Sequence, residues 1–221
     1  MTLFYWKLIG RALSSAHFWE AFVAESKRPH LNYNQIVRII EPNSSVLDLG
    51  CGDGELLSRL IKEKNVQGRG VDIEEEMIIK CIARGLSVFQ GNLDEGLKDY
   101  TSGSYDYVIL NQTLQATYKP ILVVREMLRV GKKAIVSFPN FGYYKLVLQL
   151  LFLGRMPVTR DLPYQWYNTP NIHLCTRRDF IDHCRKNSIT VLEIIDIINE
   201  QKLCRVWPNF RATEVIFILQ A

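Results

Sequence analysis

A chain of 221 residues, 48% apolar and 23% charged, has material for one α/β domain with a full core and modest additions. Its net charge of +4, from 27 basic against 23 acidic residues, comes without any dense Lys/Arg block, which argues against a nucleic-acid partner. Five cysteines, with no C-x-x-C pair, point to free thiols in a reducing compartment, so a cytoplasmic location is expected.

In chain order, residues 1–28 are expected to form an N-terminal helical extension and residues 29–221 a single domain. Leu3, Trp6, Ile9, Leu13, Phe18 and Phe22 can form an apolar helical stripe. Lys7 and Arg11 interrupt the run, which never reaches the roughly 18 consecutive apolar residues of a spanning helix. Packing on the domain or a partner is the preferred reading, a helix on a membrane surface the alternative; membrane contact is not expected.

The spacing next predicts a helix at Tyr33–Ile40 and a strand at Val46–Leu49. Three glycines and a helix opening at Glu55 follow. Strands are expected at 68–73, 86–90 and 105–111, with a helix from about Glu74 to Ala83. A helix at Pro120–Val130, a stop at Gly131, a strand at Lys133–Phe138 and a helix at about Tyr143–Phe152 continue the alternation. Residues 154–175 lack periodicity and are expected to form an irregular loop over a site. Thr176 can cap a helix to Asn187. Strands at Ile189–Ile198 and Thr213–Leu219 should close the sheet as an antiparallel pair, joined by a long connection.

The most informative residues are V-L-D-L-G-C-G-D-G, 46–54. A short buried strand, a sharp glycine turn and an amphipathic helix bring main-chain N–H groups close to a ligand. Position 55, where the nicotinamide fingerprint needs its third glycine, is Glu55, and no G-x-x-x-x-G-K-[ST] occurs. Asp48 would repel a diphosphate but would suit a ligand carrying an ammonium and a carboxylate. S-adenosylmethionine (SAM), or its product S-adenosylhomocysteine (SAH), is the expected cofactor; another nucleotide is the alternative. Gly50, Cys51, Gly52 and Gly54 would form the surface touched by its methionine part, with Asp48 orienting the amino group. Asp72, ending the second strand with Ile73 beside it, would accept ribose hydroxyls or else cap the next helix. Asn92 and Leu93 would meet the adenine, with Asp94 as a helix cap, and Asn111 ends the fourth strand at the same edge. Asn111-Gln112-Thr113-Leu114 contains no N-P-P-Y or D-P-P-Y arrangement, which lowers the case for base methylation.

Methyl transfer from a sulfonium is an in-line displacement driven largely by positioning. His173, in the irregular segment, is the candidate catalytic base; a structural hydrogen bond is the competing reading. Cys51 is read as a small packed side chain before a nucleophile. His17, His30, His173 and His183 show no metal spacing, and no metal is expected.

The blocks NQTLQA at 111–116, EMLRVG at 126–131, IVSFPNFG at 135–142, GRMPVT at 154–159 and LPYQWYNTPNIHLCT at 162–176, together with the glycine turn, resemble the MetW family of methionine biosynthesis proteins. The similarity runs from about Tyr33 to Leu219. The resemblance implies a class I methyltransferase fold, Rossmann-like, with a seven-stranded sheet in order 3-2-1-4-5-7-6 and helices on both faces. It also implies association with homoserine O-acetyltransferase. The main functional expectation is therefore an accessory protein of that enzyme with a SAM-type pocket; the alternative is a stand-alone methyltransferase acting on a small molecule. Asp72 stands where other members often have Glu, and Asn92 where many have Asp. Phe138–Thr176 is a candidate partner surface, and a homodimer is compatible with the sequence.

Overall fold

The structure, a computed structural model, describes residues 32–159, 162–198 and 202–221. The helical stripe expected before Pro29 lies outside them. The strands are β1 Ser45–Leu49, β2 Gln67–Asp72, β3 Val88–Gln90, β4 Tyr105–Asn111, β5 Gly131–Pro139, β6 Thr190–Ile198, β7 Lys202–Leu203 and β8 Glu214–Gln220. The helices are α1 Asn32–Ile39, α2 Glu55–Lys64, α3 Glu75–Ala83, α4 Pro120–Val130, α5 Tyr144–Leu153, α6 Arg177–Lys186 and α7 Pro208–Arg211. They form one sheet in order β3-β2-β1-β4-β5-β8-β6-β7. β1 to β5 are parallel, whereas β8 runs antiparallel between β5 and β6. This is the expected seven-strand order, with the two-residue β7 added at the outer edge of β6.

The central strands are apolar on both faces because helices cover both. On one face Val46, Ile109, Ile135, Ile216 and Ile218 pack against Ile36 of α1, Ile40 just after it, and Leu56 and Leu60 of α2. On the other, Leu47, Leu110, Val136 and Phe217 meet Val124 and Met127 of α4 and Phe180 of α6. Local chemistry sets the helix ends. Pro120 opens α4 at a position where its missing N–H costs nothing. Thr176 and Asp179 form a reciprocal capping box on α6, as expected of Thr176. Gly154 ends α5 in the left-handed region at φ 58.

Gly131 ends α4 as its C-cap, as expected, but it does so in extended form at φ −105 and is also the first residue of β5, paired with Tyr105. A side chain there would press on Val108, its Cβ 2.7 Å from Val108 Cγ2, so the glycine serves packing. The connection between the last two long strands also carries β7 and α7, elements too short for periodicity to reveal.

Candidate functional site

Every feature of the site lies at the carboxyl ends of β1, β2, β4 and β5 and the matching end of β8. After Leu49 the chain turns through Gly50, Gly52 and Gly54, all left-handed at φ 66, 55 and 77. The three glycines have different reasons. A Cβ on Gly50 would meet Thr113 Oγ1 at 2.6 Å, and one on Gly54 would run into Leu86 and Cys81. A Cβ on Gly52 would meet no atom of the described residues within 4 Å. Gly50 and Gly54 are therefore fixed by packing, while Gly52 presents bare backbone to open space.

Asp72 ties the turn to the second strand. Its Oδ2 accepts the Gly52 N–H at 2.8 Å and its Oδ1 the Glu74 N–H at 3.0 Å. The helix-start role and the position beside the turn thus belong to one carboxylate. Ile73 stands next to it, 60% exposed, as an apolar platform. Because Asp72 clamps the turn and is the residue expected to accept the ribose hydroxyls, Asp72→Ala is expected to lose about 1–3 kcal/mol of SAH binding by calorimetry on the folded variant. Unchanged affinity would remove Asp72 from the site.

Asp48 is the site's electrostatic centre. Its side chain is buried, with no hydrogen-bond donor to its carboxylate among the described residues. Burial, and then the neighbouring Asp72 carboxylate, push its pKa up to about 7. A buried acid without a donor is costly unless a cation meets it. The phenol of Tyr33 is held protonated first by burial and then by the charges of Asp48, Glu55, Asp53 and Glu214.

The sheet register adds residues that no local motif marks. Side chains alternate along a strand, so Asp48, Asn111, Ser137 and Glu214 all point to the α1/α2 side, two residues from the core-facing Val46, Ile109, Ile135 and Ile216. Asn111 Oδ1 accepts from Ser137 Oγ and from Asn32 Nδ2, both at 2.6 Å, and Asn32 Nδ2 also donates to Glu214 Oε1. Asn32 Oδ1 is buried and meets no donor among the described residues. This polar row, roofed by the first residues of α1, escapes a linear reading because Asn32 and Glu214 are 182 residues apart. Its one sequence signal is a polar residue at the end of each apolar strand, in phase with the buried positions.

The other expected residues are placed as follows. Asn92 caps the 3-10 turn Leu93–Glu95, its Oδ1 accepting from Asp94 N at 3.0 Å. The cap is thus Asn92 and not Asp94, whose carboxylate instead takes the N–H groups of Tyr118 and Lys119 before α4. Asn92 and Leu93 line a cavity of about 470 Å³ beside β3. Cys51 packs with Leu57, Cys81 and Leu86, its Sγ 3.9 Å from Cys81 Sγ. Burial and then the Asp48 charge push its thiol far up, so it serves as packing. His173 has an exposed side chain on the α4/α6 side, while its backbone N–H bonds Gln115 O at 3.0 Å. Among the described residues no three His, Cys, Asp or Glu side chains group as metal ligands.

The strand order, with β8 reversed between β5 and β6 and a glycine turn after β1, is that of the class I SAM-dependent methyltransferase fold. A SAM-dependent methyltransferase from Archaeoglobus fulgidus is similar over 92% of this chain and 100% of its own, at 16% identity and a TM-score of 0.66. A structure from Thermotoga maritima, described as a SAM-dependent methyltransferase and possible histamine N-methyltransferase, matches 92% of this chain and 94% of its own, at 14% identity and a TM-score of 0.64. At such identities these likenesses show the fold alone. Within that class the chain belongs to the MetW family, "Methionine biosynthesis protein MetW", whose sequence model matches residues 30–219. A curated relative, the bifunctional methionine biosynthesis protein MetXA/MetW of Rhodopirellula baltica, is 38% identical over 162 residues. That match covers 69% of this chain but 26% of the relative, so the chain spans about a quarter of that protein's length.

Proposed function

We propose that this chain binds SAM or SAH at the carboxyl ends of β1 and β2 and acts as a methyltransferase on a small molecule. The observation that carries the reading is Asp48, a buried carboxylate that meets no donor among the described residues, beside the glycine turn. A scaffold that bound no cofactor would gain stability by replacing it. The residues present suit the cofactor. Asp48 meets the ammonium, the bare Gly52 backbone lies against the methionine chain, Asp72 takes the ribose, and Ile73, Asn92 and Leu93 take the adenine. Bound SAM supplies an activated methyl group on a sulfonium, and the negative surroundings of Asp48, Asp53, Glu55 and Glu214 favour that cation. Tyr33 and the Asn32–Asn111–Ser137 network border the place left for the acceptor.

A second reading, an accessory role on homoserine O-acetyltransferase, is favoured by the relative in which MetXA and MetW are joined in one protein. The surface that suits a partner is the exposed aromatic pair Trp166 and Tyr167, whose rings stand edge-on at 5.6 Å, with Leu151 and Phe152 of α5 also exposed. Such rigid anchors bury area at low ordering cost.

One experiment separates the two: co-purify the chain with the acyltransferase from the same organism, then measure acyl transfer and SAH release with SAM present. An enzyme releases SAH from a panel of small amines and alcohols with or without the partner. An accessory protein changes the acyl-transfer rate without SAH. In the latter case the paired change Trp166→Ala with Tyr167→Ala should weaken assembly at least tenfold and leave SAH affinity unchanged. Assembly indifferent to that pair would place the interface elsewhere.

A further inference from the structure

Neither of the two clusters that cover the sheet takes a side chain from α5. Leu146 is its one buried residue, and it packs with Tyr143 and Leu162 in a small cluster of its own. Beyond Leu146 the helix is apolar except for Gln149. Val147, Leu148, Leu150, Leu151, Phe152 and Leu153 are all exposed, Leu151 at 70% and Phe152 at 74%. At about 100° per residue these side chains point to every side of the helix axis instead of forming one stripe. A helix apolar all round is at home in a core or a lipid phase, and a flat partner could cover only one side of it.

The charges at its two ends have one sign. Lys145 in the first turn and Arg155 just past Gly154 are exposed, and the chain has no acidic residue between Glu126 and Asp161. A second copy would bring only the same cations to such a contact, with no carboxylate to meet them. A fluid apolar layer edged with anions suits both properties, because it closes round the side chains and takes the cations at its rim. We infer that α5 binds the surface of an anionic lipid bilayer, lying in the plane of the headgroups with residues 150–153 sunk below them and Lys145 and Arg155 against the lipid phosphates. Their long stems let both cations stay at headgroup level while the helix sinks. Among the described residues no helix is long and apolar enough to cross a membrane, so the contact is with one leaflet. Membrane contact is not expected from the sequence because a strand–helix alternation does not show which helix the sheet leaves uncovered.

The test is sedimentation of the full chain with extruded vesicles, either of phosphatidylcholine alone or with one quarter of it replaced by phosphatidylglycerol. Half-binding to the anionic vesicles is expected at a lipid concentration at least tenfold lower than to the neutral ones, and added salt should narrow that gap. Leu151→Ser with Phe152→Ser removes apolar area at two exposed positions, so the melt should be unchanged while half-binding needs at least tenfold more lipid. Lys145→Glu with Arg155→Glu should erase the preference for anionic vesicles. Ile79→Ser with Ile82→Ser, an exposed apolar pair on α3, should leave binding as in the wild type. The inference is overturned if the wild type ignores both vesicles, binds both equally, or binds undiminished after the α5 changes. A dimer in light scattering that the α5 serines split into monomers would assign the helix to a second copy instead. Loss of acyltransferase assembly in that variant, with vesicle binding kept, would assign it to that partner.

Discussion

Asp48→Asn is expected to make the protein more resistant to heat at pH 8 and, in the same variant, to bind SAH 10- to 100-fold more weakly. The native pKa of Asp48 is about 7 against an ordinary 3.8. Between those values the folded chain keeps a proton that the unfolded chain has released. The stability contributed by this group is therefore fully present below about pH 4 and is lost as pH rises through 7. Holding the carboxylate ionised costs on the order of 4 kcal/mol, of which the asparagine variant should recover about 1–3 kcal/mol, since its buried amide also lacks partners. For a domain of this size that is several degrees in Tm. The gain should shrink as the pH of the melt is lowered from 8 to 5. Binding runs the other way. An ammonium is met by the ionised acid, so wild-type affinity should climb as pH rises from 6 to 8, while the variant's stays flat. Melts and calorimetry at three pH values read both effects. A variant less stable than wild type at pH 8, or equal in affinity, would show that Asp48 has a structural partner instead of a ligand.

The turn at Gly50, Gly52 and Gly54 is compressed into nine residues and demands a conformation that only glycine adopts cheaply, so its chemistry can be read without coordinates. The sheet was legible because β1, β4 and β5 each centre on a short apolar run, Val46–Leu47, Tyr107–Leu110 and Ala134–Val136, and because the family resemblance supplies their order. Neither argument reaches β7, two residues long, or α7, four. Nor does it reach Gly131, whose role is set by Val108 across the sheet. The assignment of Asp94 as a cap failed for a similar reason: its partners, Tyr118 and Lys119, lie 24 and 25 residues away. Asn92, whose bond is local, took the cap. Ser137 and Glu214 join the site through strand register, and Asn32 through side-chain bonds from α1 to Asn111 and Glu214, neither of which a window of contiguous sequence contains.

Gly52→Ala and Gly54→Ala differ by one methyl group each, two residues apart in the same turn, and should fail in opposite ways. Both positions are left-handed, at φ 55 and 77, which costs an alanine about 1–2 kcal/mol. At Gly54 the added Cβ also meets Leu86 and Cys81, both buried in the cluster beneath the turn, and Cys81 Sγ would be 2.9 Å away. Overpacking there adds about 1–3 kcal/mol, for a total near 3 kcal/mol and a Tm lowered by roughly 6–12 °C. At Gly52 no atom of the described residues lies within 4 Å of the new carbon, so the stability loss should stop at the backbone strain. The methyl would instead project into the space assigned to the methionine chain of the cofactor, and SAH affinity should fall more than tenfold. Thermal melts and calorimetry on the two variants, at a temperature where both are folded, give the comparison. Gly52→Ala binding SAH as tightly as wild type would show that the open space above the turn is not where the cofactor lies, whatever the stability of Gly54→Ala.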